Sequence, residues 1–171
     1  VMDFSLVEVS NYFFESEVNA GKKRLEIAGE LSVPQIIAPG GLTVVDAKTW
    51  SSPPKGFEKR EFRPHNRLVT CAALEPEERK KAATIIGNKL MKAKGPTAFI
   101  MPHGGFDDWD REGEWAFDRK AIDAFYMEIK SILKKPVEFH EIKQNINDPE
   151  FTNLALMIFD KWVKEGLINN K

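Results

Sequence analysis

His103 is followed by Gly104 and Gly105, and then by five carboxylates in a short space: Asp107, Asp108, Asp110, Glu112 and Glu114. A histidine that titrates near neutrality can act as a general base or hold a phosphate; it can equally well hydrogen-bond the neighbouring turn. Glycines beside it let the backbone take positive φ and approach a ligand closely. The carboxylates invite a metal. From Asp108 the spacing imitates a calcium loop through Asp110, Glu112 and a glycine, Gly113, at the sixth place, but Arg119 stands at the twelfth, where a bidentate glutamate is needed. No incoming helix precedes it either. Magnesium needs only one or two carboxylates together with a phosphate, so Asp107 and Asp108 are its candidate ligands. The plain alternative is a solvated acidic loop.

Two other stretches share this grammar. Pro39-Gly40-Gly41 closes the apolar run Gln35-Ile36-Ile37-Ala38, and Asn145-Ile146-Asn147-Asp148 closes Val137 to Ile142. Each such loop, taken singly, is accounted for by turn sterics. Three of them at the carboxyl edge of one sheet would frame a cleft, which is where ligands bind in open α/β sheets. Gly40, Gly41, His103, Gly104, Gly105, Asn145, Asn147 and Asp148 are therefore the candidate ligand-binding residues, joined by His65 and Asn66 beside Arg63. His103 is the candidate base. His140, between Phe139 and Glu141 in a strand, reads as structural. Cys71, in the apolar run LVTCAAL, reads as a buried, inert thiol. Neither GxxxxGK[ST] nor GxGxxG occurs, and no Ser-His-Asp or Cys-His arrangement can be argued. Trp109, Trp115 and Phe117 could cover the cleft, form a partner surface, or pack under their own loop.

The elements that must position these loops follow from periodicity. Thr97 to Met101, between Gly95-Pro96 and Pro102, is a continuous apolar run of the kind a central parallel strand shows. Val1 to Phe4, Pro34 to Ala38, Leu68 to Leu74 and Val137 to Ile142 read as further strands. Helices are predicted after a Ser5/Glu8 capping box with Leu6, Val9 and Phe13 on one face, and over Lys22 to Leu31 with Leu25, Ala28 and Leu31. Others run from Pro76 to about Lys92 (Ala82, Ile86 and Leu90 inward), from an Asp118 cap (Ile122, Phe125, Tyr126, Ile129, Ile132, Leu133), and from Asp148-Pro149 (Phe151, Leu154, Ile158, Trp162). Leu42 to Asp46 reads as a short helical turn, Lys48 to Arg63 as a long excursion from one sheet, and Ile168 to Lys171 as a loose tail. The alternation predicts a single α/β domain over residues 1–171: a mainly parallel four- or five-stranded sheet with helices on both faces, a Rossmann-like or flavodoxin-like three-layer sandwich.

Composition sets the class. The 171 residues, 42% hydrophobic and 30% charged, suit a globular domain that buries roughly 70% of its unfolded surface. A net charge of -1 gives no electrostatic case for nucleic acid. No apolar run spans a bilayer, and no signal peptide is visible, so a cytoplasmic location is expected. A lone cysteine rules out an internal disulfide and any multi-cysteine metal site. The chain enters a strand end and a helix cap directly at Val1, which predicts that it is a piece of a longer protein.

Several phrases occur in order: RLEIAGELSVPQIIAPGGL, RPHN followed by LVT, GPTAFIMPHGGFDDWD and NINDPEF. Together they resemble the second half of a family of uncharacterised bacterial and archaeal two-domain proteins described as carrying an ATP-binding domain, a family similar to the inhibitory region of the tomato protein that confers resistance to tomato mosaic virus. Asn147-Asp148-Pro149 with Phe151 is the strongest motif, and the likeness covers nearly the whole chain. After the central strand the chain departs from the family's usual phrase, with Gly104 and Asp107 in place of a basic or polar residue and a serine. The resemblance implies a Rossmann-like second domain preceded by another α/β domain. It also implies an ATP site, with Mg²⁺ held mainly by phosphate, to which that absent half contributes. The expected partners are the preceding domain, a small anionic ligand and a second copy of the chain; the alternative to ligand binding is an interaction module docking through residues 106–117.

Overall fold

A computed structural model describes residues 1–168; of the expected loose tail, all but Ile168 lies outside the described residues. In chain order the elements are β1 (Met2–Asp3), α1 (Val7–Phe13), α2 (Ile27–Glu30), β2 (Gln35–Ile37), β3 (Val44–Lys48), β4 (Arg63–Pro64), β5 (Val69–Ala73), α3 (Pro76–Leu90), β6 (Thr97–Pro102), a 3-10 turn over Asp108–Asp110, α4 (Arg119–Ile132), β7 (Glu138–Ile142) and α5 (Pro149–Lys164).

Four strands form a wholly parallel sheet in the order β1-β2-β6-β7. All six residues of β6 are buried because the sheet is covered on both sides. Its alternate residues divide between two cores. Phe99 and Met101 pack with Leu6 and Val9 of the α1 region, Ile86 and Leu90 of α3, and Ile122, Phe125 and Ile129 of α4. Ala98 and Ile100 pack with Phe151, Ile158 and Trp162 of α5. This is the three-layer α/β arrangement. Full burial of a large apolar side chain contributes roughly 1.5–3 kcal/mol, so these stripes hold the sheet's carboxyl edge rigid.

The helix ends follow the sequence signals in part. Asp118 caps α4 by accepting from the Lys120 and Ala121 amides. Glu75 and Glu78 form a reciprocal capping box at the start of α3, with Pro76 at its first turn. Ser5 makes no such cap; Leu6 stands at the N-cap of α1. Phe13, expected inside, is exposed.

Three further expectations fail. The helix over Lys22 to Leu31 shrinks to Ile27–Glu30, because Leu25 sits in the left-handed region (φ 72°) to bury its side chain, and Leu31 is left exposed. The run Leu68 to Leu74 does not join the parallel sheet. Its strand β5 pairs antiparallel with β3 and β4 in a separate three-stranded sheet, and β3 replaces the predicted helical turn over Leu42 to Asp46. Val45, Ala72 and Leu74 give this sheet its own small core with Phe57. Asn11 of α1 clamps it to the main body, donating to the Asp46 carboxylate and accepting from the Asp46 amide, both at 2.9 Å. Among the described residues no helix is long and apolar enough to cross a membrane.

Candidate functional site

The three glycine- and Asx-bearing loops do meet at the carboxyl edge of the parallel sheet, knitted by backbone hydrogen bonds. The Gly41 amide donates to Phe106 O (3.1 Å), the Gly104 amide to Gln144 O (3.0 Å) and the Ile146 amide to Gly105 O (3.1 Å). The buried side chain of Asn145 completes the knot, with Nδ2 donating to Gly104 O and Asp107 O and Oδ1 accepting from the Asn147 amide. Asp148 accepts from the Asn145 amide and pairs with Arg111.

This closeness explains the glycines. A Cβ on Gly104 would lie 2.5 Å from the Asn145 nitrogen; one on Gly105, whose φ is 120°, would lie 2.3 Å from Asp110 O. Gly40 is likewise pressed against Phe4 O. The backbone meets another loop at these positions, not open space for a ligand.

The open space lies beside the knot. A cleft of about 450 Å³ separates the loops from the antiparallel sheet. Gly41, Asp107, Asp108, Trp109 and Asn147 line it from the loop side; Val44, Asp46, His65 and Cys71 line it from the sheet side, with Ser5 and Val7 at the start of α1. Of the residues expected from sequence, Gly41, Asn147, His65, Asp107 and Asp108 thus face one cavity. Gly40, Gly104, Gly105, Asn145 and Asp148 frame it from behind.

His103 does not line it. Its ring lies edge-on to Tyr126 at 4.7 Å, and Nε2 is 3.3 Å from Glu141, which also holds Lys130. Arg119 donates to its carbonyl at 2.8 Å. Asn66 is also absent from the lining; its side chain accepts from the Leu68 and Val69 amides and ties an exposed turn. His140 leans on Glu138 at 3.3 Å within β7.

The acidic loop is solvated only in part: Asp108, Glu112 and Glu114 are exposed, whereas Asp110 is buried and Asp107 largely so. Asp110 is completely buried and receives both terminal nitrogens of the equally buried Arg79, at 2.9 and 3.0 Å, together with the Phe106 amide at 3.1 Å. Arg79 also donates to Ala116 O, so one guanidinium pins both ends of the loop. Asp107 is largely buried; burial, reinforced by the nearby Asp110 carboxylate, pushes its carboxyl above the ordinary aspartate range, while the adjoining Thr43 hydroxyl and Arg79 pull the other way. Asp108 is exposed and ion-paired with Arg111 at 2.9 Å, and that bond holds it below the usual range. Among the described residues no three His, Cys, Asp or Glu side chains are arranged to hold a metal.

Asp46, Cys71, Ser5, Val7 and Val44 were not anticipated in the lining, whereas Trp109 is one of the aromatics expected to cover the cleft. Cys71 donates to Asp46 at 3.0 Å, and burial raises its thiol far above the usual range, with that bond adding to the effect. Arg79 was missed as the loop's anchor, yet its position carried a signal. It sits three residues before Ala82 on the stripe that continues through Ile86 and Leu90, where a charge must find a buried partner.

Residues 1–163 match the family described as "Uncharacterised protein family (UPF0261) C-terminal domain". The chain is 40% identical over 168 residues to a UPF0261 protein of Brucella melitensis, covering 98% of this chain and 40% of that protein. It is 34% identical over 152 residues to a UPF0261 protein of Clostridium tetani, covering 88% of this chain and 38% of that one. Similarity extends to the ToMV resistance protein Tm-1(GCR237) of Solanum lycopersicum, at 26% identity over 161 residues, 93% of this chain and 21% of the tomato protein. The chain therefore spans about 40% of the length of the bacterial relatives it matches.

Proposed function

Because the chain belongs to the UPF0261 C-terminal domain family, we propose that it forms one half of a small-molecule site in a longer cytoplasmic protein, and that the ligand is a nucleotide such as ATP carrying Mg²⁺. The observation that supports this most is the cleft itself. Its volume falls within the range of ordinary ligand pockets, and it sits outside the carboxyl ends of a parallel sheet. The lining restricts how an anion could enter. Among the described residues no lysine or arginine lines the cavity, so phosphate would come with its own cation, with Asp107 or Asp108 as an oxygen partner. The preceding domain supplies the remaining groups.

A second reading, docking of residues 106–117 on a second copy or on the preceding domain, has less support. Phe106 is fully buried, and Trp109, Trp115 and Phe117 are partly buried against their own chain. Arg63 stacks over Trp115 at 5.0 Å.

Thermal unfolding with and without millimolar ATP and Mg²⁺ tests the first reading, first on this 171-residue chain and then on the longer protein. A folded-state site saturated at a hundred times its dissociation constant adds about 2.7 kcal/mol, which is roughly 5–11 °C for a chain of this size. A shift only in the longer protein shows that this chain does not hold the site alone, and loss of that shift on Trp109→Ala then assigns this cleft a share in it. No shift in either refutes the reading.

A further inference from the structure

The cleft does not resemble a phosphate cradle. Its charged lining is acidic, with Asp46, Asp107 and Asp108, and among the described residues neither lysine nor arginine lines it. Its apolar wall is aromatic: Trp109 is held edge-on by His65 at 5.2 Å and tilted against Trp115 at 5.5 Å, so the indole is positioned by packing.

A planar ring with amino hydrogens satisfies both features. The indole offers a surface for stacking, the carboxylates accept from an exocyclic amine, and the Asn147 amide can both donate and accept along a ring edge. Resting on the nucleotide reading above, we infer that this cleft takes the amino-bearing purine base, while the phosphates and their magnesium lie at its mouth, toward the exposed Asp108 and groups outside the lining.

The test is ligand-dependent thermal unfolding of the full-length protein with adenosine, with Mg²⁺-pyrophosphate and with Mg²⁺-ATP. Adenosine alone raises the melting temperature and Mg²⁺-pyrophosphate does not. Trp109→Ala weakens adenosine binding tenfold or more, the size expected for loss of a base-stacking ring. Trp109→Phe retains most of the affinity, and Asn147→Ala, at an exposed position outside the core, weakens it without lowering the ligand-free melting temperature. If pyrophosphate shifts the protein as far as ATP while adenosine is inert, the base placement is overturned and the nucleotide reading survives. An adenosine shift that ignores Trp109→Ala and Asn147→Ala also overturns the placement. If none of the three ligands shifts the protein, both inferences fall.

Discussion

Asp110→Ala is expected to be among the most damaging single substitutions in the chain, although the residue lies in a loop. Both members of the Arg79–Asp110 pair are wholly inaccessible, and the carboxylate accepts three hydrogen bonds, two from Arg79 and one from the Phe106 amide. Deleting it leaves a buried guanidinium without a counter-ion, while Arg79 Nε is already unpartnered. It also leaves the Phe106 amide unmet at the point where the loop leaves β6. Removing one partner of such a pair costs about 3–5 kcal/mol, because a buried charge is left uncompensated. Against a domain stability of 5–15 kcal/mol, that is a large fraction. Urea unfolding followed by tryptophan fluorescence reads it directly. With a slope of about 2 kcal/mol/M, a loss of about 4 kcal/mol moves the midpoint down by about 2 M. The double substitution Arg79→Met with Asp110→Leu should recover most of the loss, since replacing both charges with apolar groups is often neutral or stabilising. The reasoning is refuted if Asp110→Ala moves the midpoint by less than about 0.3 M, or if the double variant is no better than the single one.

Gly105→Ala should unfold the loop knot or render the protein insoluble, because its Cβ would lie 2.3 Å from Asp110 O at φ 120°; Gly113→Ala, at φ 93° with nothing within 4 Å, should cost only about 1–2 kcal/mol of backbone strain in the same urea assay. Burial raises the Asp107 carboxyl, so the folded state holds this proton more tightly than the unfolded chain, and wild type should lose stability relative to Asp107→Asn as pH rises through the window just above the ordinary aspartate range; a stability difference flat from pH 3.5 to 7 would contradict this. Cys71, buried and with its thiol pushed up, should resist Ellman's reagent at pH 8 until denaturant is added, whereas rapid labelling of the native protein would show that the cleft floor opens.

Much of the main body was readable because its elements have strong periods. The inward stripe of α4 contains Ile122, Phe125 and Ile129, and that of α5 contains Phe151, Ile158 and Trp162, all buried. The unbroken run of β6 reflects burial on both faces. The antiparallel sheet was hidden for a physical reason. Val44-Val45-Asp46-Ala47-Lys48 is five residues long and carries a charge in its middle, and nothing local shows that Asn11, 35 residues earlier, will satisfy Asp46. Leu25 also defeats a periodic reading, because tertiary burial of its side chain outweighs the strain of a left-handed backbone.

The candidate site was legible in its frame and not in its lining, and packing explains the difference. Glycine and Asx signals report where the backbone turns or approaches something closely, but they do not say whether that thing is a ligand or another loop. Here Gly104 and Gly105 approach Asn145 and Asp110, so their freedom is spent on bringing three loops together. The groups left facing open space come from elsewhere. Asp46 and Cys71 belong to the antiparallel sheet whose strands flank the long excursion, His65 follows β4 at its end, and Asp107 and Trp109 sit on a loop that Arg79 holds from α3, 31 residues before Asp110. Each of these depends on a long-range contact that no local window contains. His103 is the converse case: a histidine in the expected sequence position, drawn toward Tyr126 and Glu141 and so away from the cavity. Chemistry at this sheet edge is therefore better sought in the wall of the antiparallel sheet and the face of the Arg79-held loop than in the glycine phrases that first mark the place.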